Sequence, residues 1–210
     1  MAFWGAPFVE GDFAVPACRA ALAQYRQLEK LRLELPELLG LRKNAPSIRI
    51  RVGLATGEVV VGSIGAKFSK SFTVVGDVVN IASRLETANK LYGTSILVDE
   101  ATMAHAGREI VAREIDHLAV VGKDETVRIF ELLGTTDDIA PSSLALRDAF
   151  ERGLAAYRAR DWDGAEAGFG EASRIVPNDP PSMVFLQRIA GFRQSPPSDD
   201  WAATWRSVVK

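Results

Sequence analysis

One polar, breaker-rich stretch, Gly134-Thr135-Thr136-Asp137-Asp138-Ile139-Ala140-Pro141-Ser142-Ser143, divides the chain into two regions with different hydrophobic periods. Upstream of it, short apolar runs of strand character alternate with segments of helical spacing. Downstream, helical spacing alone continues to Lys210. The contrast predicts a mixed α/β (α+β) unit over 1–133, a linker over 134–143 and an all-α tail over 144–210. In the first unit, residues 13–35 place Ala17, Ala20, Ala21, Leu28, Leu31 and Leu35 three and four apart, as a long helix does. Residues 48–52 alternate apolar and charged, the mark of a half-buried strand. Residues 59–61 read as a second strand closed by Gly62 and Gly65, and residues 72–75 as a third that runs into Gly76-Asp77. Helical spacing returns over 78–91 and stops at Gly93. Further strands are expected at 95–98, 110–115 and 126–132, with a short helix at 100–105. Residues 1–4 read as a strand broken by Gly5 and Pro7, and Pro36, Gly40 and 43–46 as a connection.

Bulk properties narrow the function classes. Of the 210 residues, 47% are hydrophobic and 25% charged, which is globular composition. A formal net charge of -2 gives no footprint for nucleic acid or an anionic membrane. Cys18 is the sole cysteine, so no internal disulfide forms and a reducing compartment fits best. No apolar run approaches the roughly 20 residues that cross a bilayer, and no basic segment or cleavage site follows Met1. As written, the chain is expected to be cytoplasmic. His105 and His117 have no partner at metal-ligand spacing, and no phosphate-binding G-x-x-x-x-G-K-[ST] loop occurs.

The segment with the most chemistry in it is Phe72-Thr73-Val74-Val75-Gly76-Asp77-Val78-Val79-Asn80-Ile81-Ala82-Ser83-Arg84-Leu85-Glu86, a strand, a glycine turn and a helix. Asn80 and Arg84 are four apart and share one helical face. An amide beside a guanidinium suits a sugar or phosphate ligand. The same pair also serves as an ordinary solvated helix face.

These residues resemble the signature of class III adenylate and guanylate cyclases, a strand ending in Y/F-T/D-V-x-G-D/N followed by x-V-N-x-A-[AS]-R-L-E. Residues 51–65, Arg51-Val52-Gly53-Leu54-Ala55-Thr56-Gly57-Glu58-Val59-Val60-Val61-Gly62-Ser63-Ile64-Gly65, resemble the family's strand-turn-strand. Met1-Ala2-Phe3-Trp4-Gly5-Ala6-Pro7 resembles the strand just after its second metal aspartate, and Val121-Gly122-Lys123 its closing K-G-K turn. The resemblance implies a ferredoxin-like core and conversion of ATP to cyclic AMP and pyrophosphate with two Mg²⁺ or Mn²⁺ ions. It implies that Asn80 orients the ribose and that Arg84 stabilises charge at the α-phosphate. Thr73 stands where the purine is read and favours ATP over GTP. Val121 replaces the first lysine of K-G-K, and Lys123 is the nearest substitute for contacting terminal phosphates. Asp77 is expected to cap the signature helix, not to bind metal.

The family's two metal aspartates, in F-x-D-I/V-x-G-F-T and K-x-x-G-D motifs, precede the Met-Ala-Phe-Trp strand and are not among these residues. A truncated core follows, with uncovered sheet edges and no metal ligands, so the chain alone is expected to be inactive. Family sites form between two chains, one giving the aspartates and the other the Asn/Arg pair. The implied partner is therefore a second cyclase domain, in a homodimer or in a heterodimer with an intact one. A non-catalytic regulatory or interaction protein built on a degenerate cyclase module is the alternative. In the tail, Gly153, Ala165, Phe169, Ala172 and Pro177 resemble one tetratricopeptide repeat, too few for a free-standing array. Phe185, Trp201 and Trp205 are further apolar anchors for docking, on the cyclase unit or on a protein partner. Tails of this kind resemble those of bacterial adenylate cyclases with sensors and membrane helices upstream, which implies inner-membrane anchoring of a longer protein.

Overall fold

A computed structural model describes residues 1–6, 8, 11–40, 48–66, 69–119, 126–198 and 201–204. Helix α1 (Ala14–Leu38) is followed by strands β1 (Val52–Leu54), β2 (Val60–Ala66) and β3 (Ser69–Val75), then helix α2 (Asp77–Tyr92). Next come β4 (Ile96–Asp99), α3 (Glu100–Ala106), β5 (Ile110–Ala119) and β6 (Thr126–Thr135). Helices α4 (Pro141–Arg158), α5 (Trp162–Ile175) and α6 (Pro180–Gln194) follow.

The main sheet has the order β1-β4-β6-β5, with β1 parallel to β4 and the other pairs antiparallel; β2 and β3 form a separate hairpin. All four residues of β4 are buried, and successive side chains divide between two helix layers. Ile96 and Val98 pack with Ala14, Val15, Cys18 and Ala21 of α1. Leu97 joins Leu85 and Tyr92 of α2 in a core that continues into Phe150, Leu154, Phe169, Phe185 and Ile189 of α4, α5 and α6. Each such fully buried side chain stabilises the fold by roughly 1.5–3 kcal/mol. The last three helices are thus a layer of the same body, placed behind α2 and β5.

Several expectations are corrected in detail. Residues 1–4 make no strand pairing, and pairing at β1 begins at Val52, not Ile48. The parallel partner sets this limit: Val52 N–H donates to the Ser95 carbonyl at 2.8 Å, and upstream of Ser95 the chain turns away at Gly93. Gly62 and Gly65 lie inside β2, paired across the hairpin with Thr73 and Lys70, so they do not end it. Pro36 falls in the last turn of α1, where it forgoes the backbone hydrogen bond to the Arg32 carbonyl, and the helix runs two residues past it. The 134–143 segment gives Gly134 and Thr135 to β6 and Pro141 onward to α4.

Candidate functional site

The turn into α2 depends on contact distances around two glycines. A Cβ on Gly76 would lie 2.8 Å from the Glu58 carbonyl oxygen, so only glycine lets the strand end approach this closely. A Cβ on Gly53 would lie 2.1 Å from the Ala82 carbonyl oxygen and 2.5 Å from the Glu86 nitrogen. Backbone-to-backbone contact therefore seats α2 on β1. Asn89 extends that contact, its side-chain amide donating to the Val52 carbonyl at 3.0 Å. Gly76, in extended conformation, is the residue preceding the helix, and Asp77 is its first helical residue. The expected cap is corrected accordingly: Asp77 sits inside the first turn, where its negative charge complements the helix dipole.

Asn80 and Arg84 occupy adjacent turns of α2 and both are exposed. Their spacing puts their Cβ atoms about 5–6 Å apart. Thr73 is half-buried in β3, opposite Gly62, three residues before the turn. Lys123 lies outside the described residues.

A cleft of about 710 Å³ opens beside α2. Its walls are residues 1–4, the first half of α1, β1 with Thr56, and the α2 flank of Val79, Ala82, Ser83 and Glu86. Asn80 and Arg84 are not among its lining residues and sit on the opposite flank of the helix. At the rim Arg51 Nε donates to Glu86 Oε1 at 2.8 Å. Thr56 and Thr102 share a hydroxyl hydrogen bond of 2.9 Å, and the Asp99 carboxylate accepts from the Thr102 and Thr56 backbone N–H groups. Sequence reasoning missed this array. Its signal was Asp99 directly before a short helix, the signature of a capping residue. Cys18 lies behind it with its thiol pushed up to about 11 by burial and by the nearby Asp99, which keeps it a neutral filler.

The divalent ions implied for this site need a set of carboxylates. Among the described residues no group of three or more His, Cys, Asp or Glu side chains is placed to hold a metal ion. The described residues do not fit the ions.

Comparison with known proteins gives one family: residues 11–133 match the adenylate and guanylate cyclase catalytic domain. A terminal-differentiation-specific adenylate cyclase of Dictyostelium discoideum is 30% identical over 185 residues, 86% of this chain and 8% of that protein. Adenylate cyclase 1 of Rhizobium meliloti is 39% identical over 133 residues, 63% of this chain and 19% of that protein. The chain thus spans a small part of the length of these relatives. Among solved structures, the adenylyl cyclase CyaB from P. aeruginosa superposes with a TM-score of 0.55 at 29% identity, covering 65% of this chain and 68% of that one. The guanylyl cyclase Cya2 gives 0.52 at 28%, covering 64% of each.

Proposed function

The chain belongs to the adenylate and guanylate cyclase catalytic domain family, and on that premise we propose that it supplies the nucleotide-gripping half of an adenylate cyclase site. In this reading Asn80 orients the ribose, and Arg84 stabilises the charge that develops on the α-phosphate. Thr73 reads adenine, and Lys123 reaches the terminal phosphates. The 3′-oxygen of ATP bonds to the α-phosphorus as the bond to the bridging oxygen of pyrophosphate breaks, and the hydroxyl proton passes to solvent water. No step is assigned to a metal ion held by this chain, because the described residues offer no fitting ligand set. The carboxylates come from a second cyclase domain, in a homodimer of longer chains or in a heterodimer with an intact one. These residues alone form no cyclic AMP. One observation carries the reading. Asn80 and Arg84 stand exposed on adjacent turns of a helix fixed to the sheet, on the flank away from the chain's own cleft.

The unit boundaries belong to the same proposal: a cyclase unit over 1–133, a linker over 134–143 and a tetratricopeptide-like tail over 144–210. The tight crossing of α4 and α5, where a Cβ on Gly168 would lie 2.5 Å from Gly153, supports the repeat-like reading. Among the described residues no helix is long and apolar enough to cross a membrane. The tail's likeness to those of sensor cyclases supports anchoring of the longer protein through segments beyond these residues. A second reading, a regulatory module without catalysis of its own, is favoured by the lack of a metal-holding carboxylate set among the described residues.

Cyclic AMP production from ATP with Mn²⁺, by the chain alone and mixed with an intact homologous cyclase domain, tests the proposal. Silence alone and a gain on mixing are expected, with Arg84→Ala lowering the gain about 10²–10³-fold. Silence in both arms supports the regulatory reading; activity alone overturns the need for a partner.

A further inference from the structure

Helix α2 is gripped at its far end by α6. Its last residue, Tyr92, is fully buried, and its hydroxyl donates to Asp116 Oδ2 of β5 at 2.7 Å. Arg188 of α6 donates to the same carboxylate oxygen at 2.6 Å and lies 3.3 Å from the Tyr92 oxygen, with its guanidinium 5.5 Å from the Tyr92 ring centre. The Arg188 and Asp116 side chains are only 7% and 1% exposed, so the pair is held in a dry interior where geometry is strictly enforced. The next residue, Gly93, has φ 69°, and a Cβ there would lie 2.5 Å from Pro180 Cβ at the start of α6. One residue before that proline, Asp179 accepts two hydrogen bonds from Arg113 of β5, at 3.0 and 2.7 Å, with both side chains 2% exposed. Thus α6 is tied to the sheet at its first turn and to α2 two turns later.

These contacts set the position of the helix that carries Asn80 and Arg84. Tyr92 is eight residues beyond Arg84, about 12 Å along the axis. Along its length α2 is also seated on β1 at Gly53 and through the Asn89–Val52 hydrogen bond, and packed into the core by Leu85 and Ala88, and the α6 contacts add a hold at its last residue. We infer that Arg188 is a positioning residue: acting through Tyr92 and Asp116, it lets the helical tail hold α2 in its working orientation, so that the tail is the input through which the site can be loosened or set. The inference rests on the reading of α2 as the catalytic helix.

Hydrogen exchange of the α2 amides in the purified chain gives a readout independent of activity. In Arg188→Met, amides of α2 are expected to exchange about tenfold faster while those of the β5–β6 pair stay protected. Tyr92→Phe, which keeps the Arg188–Asp116 pair, gives the same selective change on a smaller scale and serves should Arg188→Met not fold. Phe192→Leu loosens the far end of α6, where Phe192 packs on Tyr157, Trp162 and Trp201, and leaves α2 protected. In the mixture with an intact cyclase domain, Arg188→Met lowers kcat about tenfold with KM for ATP little changed, as misplacement of a reacting group does. Arg188→Lys restores most of it. Unchanged α2 protection in both variants, or loosening no greater than in Phe192→Leu, overturns the inference. If the wild-type mixture forms no cyclic AMP, the half-site reading fails, and the exchange data alone decide this one.

Discussion

At Gly53 there is no space for a side chain, and the obstruction on the other side is helix backbone. The three atoms that a Cβ would strike, the Ala82 carbonyl oxygen, the Glu86 nitrogen and the Leu85 Cβ, belong to the turn that contains Arg84. Gly53→Ala must therefore push α2 off β1 or bend the strand. Overpacking of this kind costs about 1–3 kcal/mol, and a chain of this size loses roughly 2–4 °C of Tm per kcal/mol. A thermal melt of the variant should fall by several degrees, and its complementing activity should fall further than its Tm explains. An unaltered melt would mean that α2 is not seated as described. Asn80 and Arg84 differ in kind from Gly53: both are exposed, so alanine at either should leave the melt within about 0.5 kcal/mol of the parent.

Between elements, the junction of the sheet with α4 is built on charge. Glu114 of β5 accepts from Arg158 of α4 at 2.5 Å and from Arg128 of β6 at 2.7 Å. Burial alone would raise the Glu114 carboxyl, but the hydrogen bonds from Arg128 and Arg158 outweigh it and hold the group below its ordinary 4.5. A carboxylate lowered in the folded state binds fewer protons there than in the unfolded chain. Its stabilisation is complete above about pH 4.5 and is lost as pH falls through the lowered value. Glu131 has the opposite sign, raised by burial against the pull of Arg113. Denaturant unfolding from pH 6 to 3 should therefore show a shallower acid loss for Glu114→Gln than for the parent; equal slopes would remove Glu114 from the junction. This junction was not legible in the sequence, because Glu114 finds Arg128 and Arg158 only through the fold, at separations no local pattern marks. Fold class and the order of elements were legible, since they rest on period and local turn chemistry, and the α2 signature through its resemblance to the cyclase family. The extents of β1 and β2 were not, because they depend on partner strands far away in the chain.

For the whole molecule the governing fact is a core that crosses the proposed boundary between cyclase unit and tail. Tyr92, Leu97, Ile115 and Ile129 belong to the same cluster as Phe150, Phe169 and Phe185, whose rings meet at 4.9 to 5.7 Å between centres. Removing everything after residue 139 would uncover the first group and leave Arg113 without Asp179, and Asp116 without Arg188. Several side chains at roughly 1.5–3 kcal/mol each, with two buried pairs broken, are comparable to the whole 5–15 kcal/mol by which a domain is ordinarily stable. The 1–139 fragment should therefore lack a cooperative melt, while the full chain unfolds in one transition that circular dichroism and tryptophan fluorescence report at the same temperature. Trp162 and Trp201 lie in the tail, so fluorescence weights that side and circular dichroism weights both. Two separated transitions in the full chain, or a sharp melt of the fragment within a few degrees of it, would show that the shared core contributes little. In that case the contacts of α6 with α2 could not transmit a change from the tail to Asn80 and Arg84. A single transition together with an unfolded fragment would make the tail a condition of the cyclase unit's own fold.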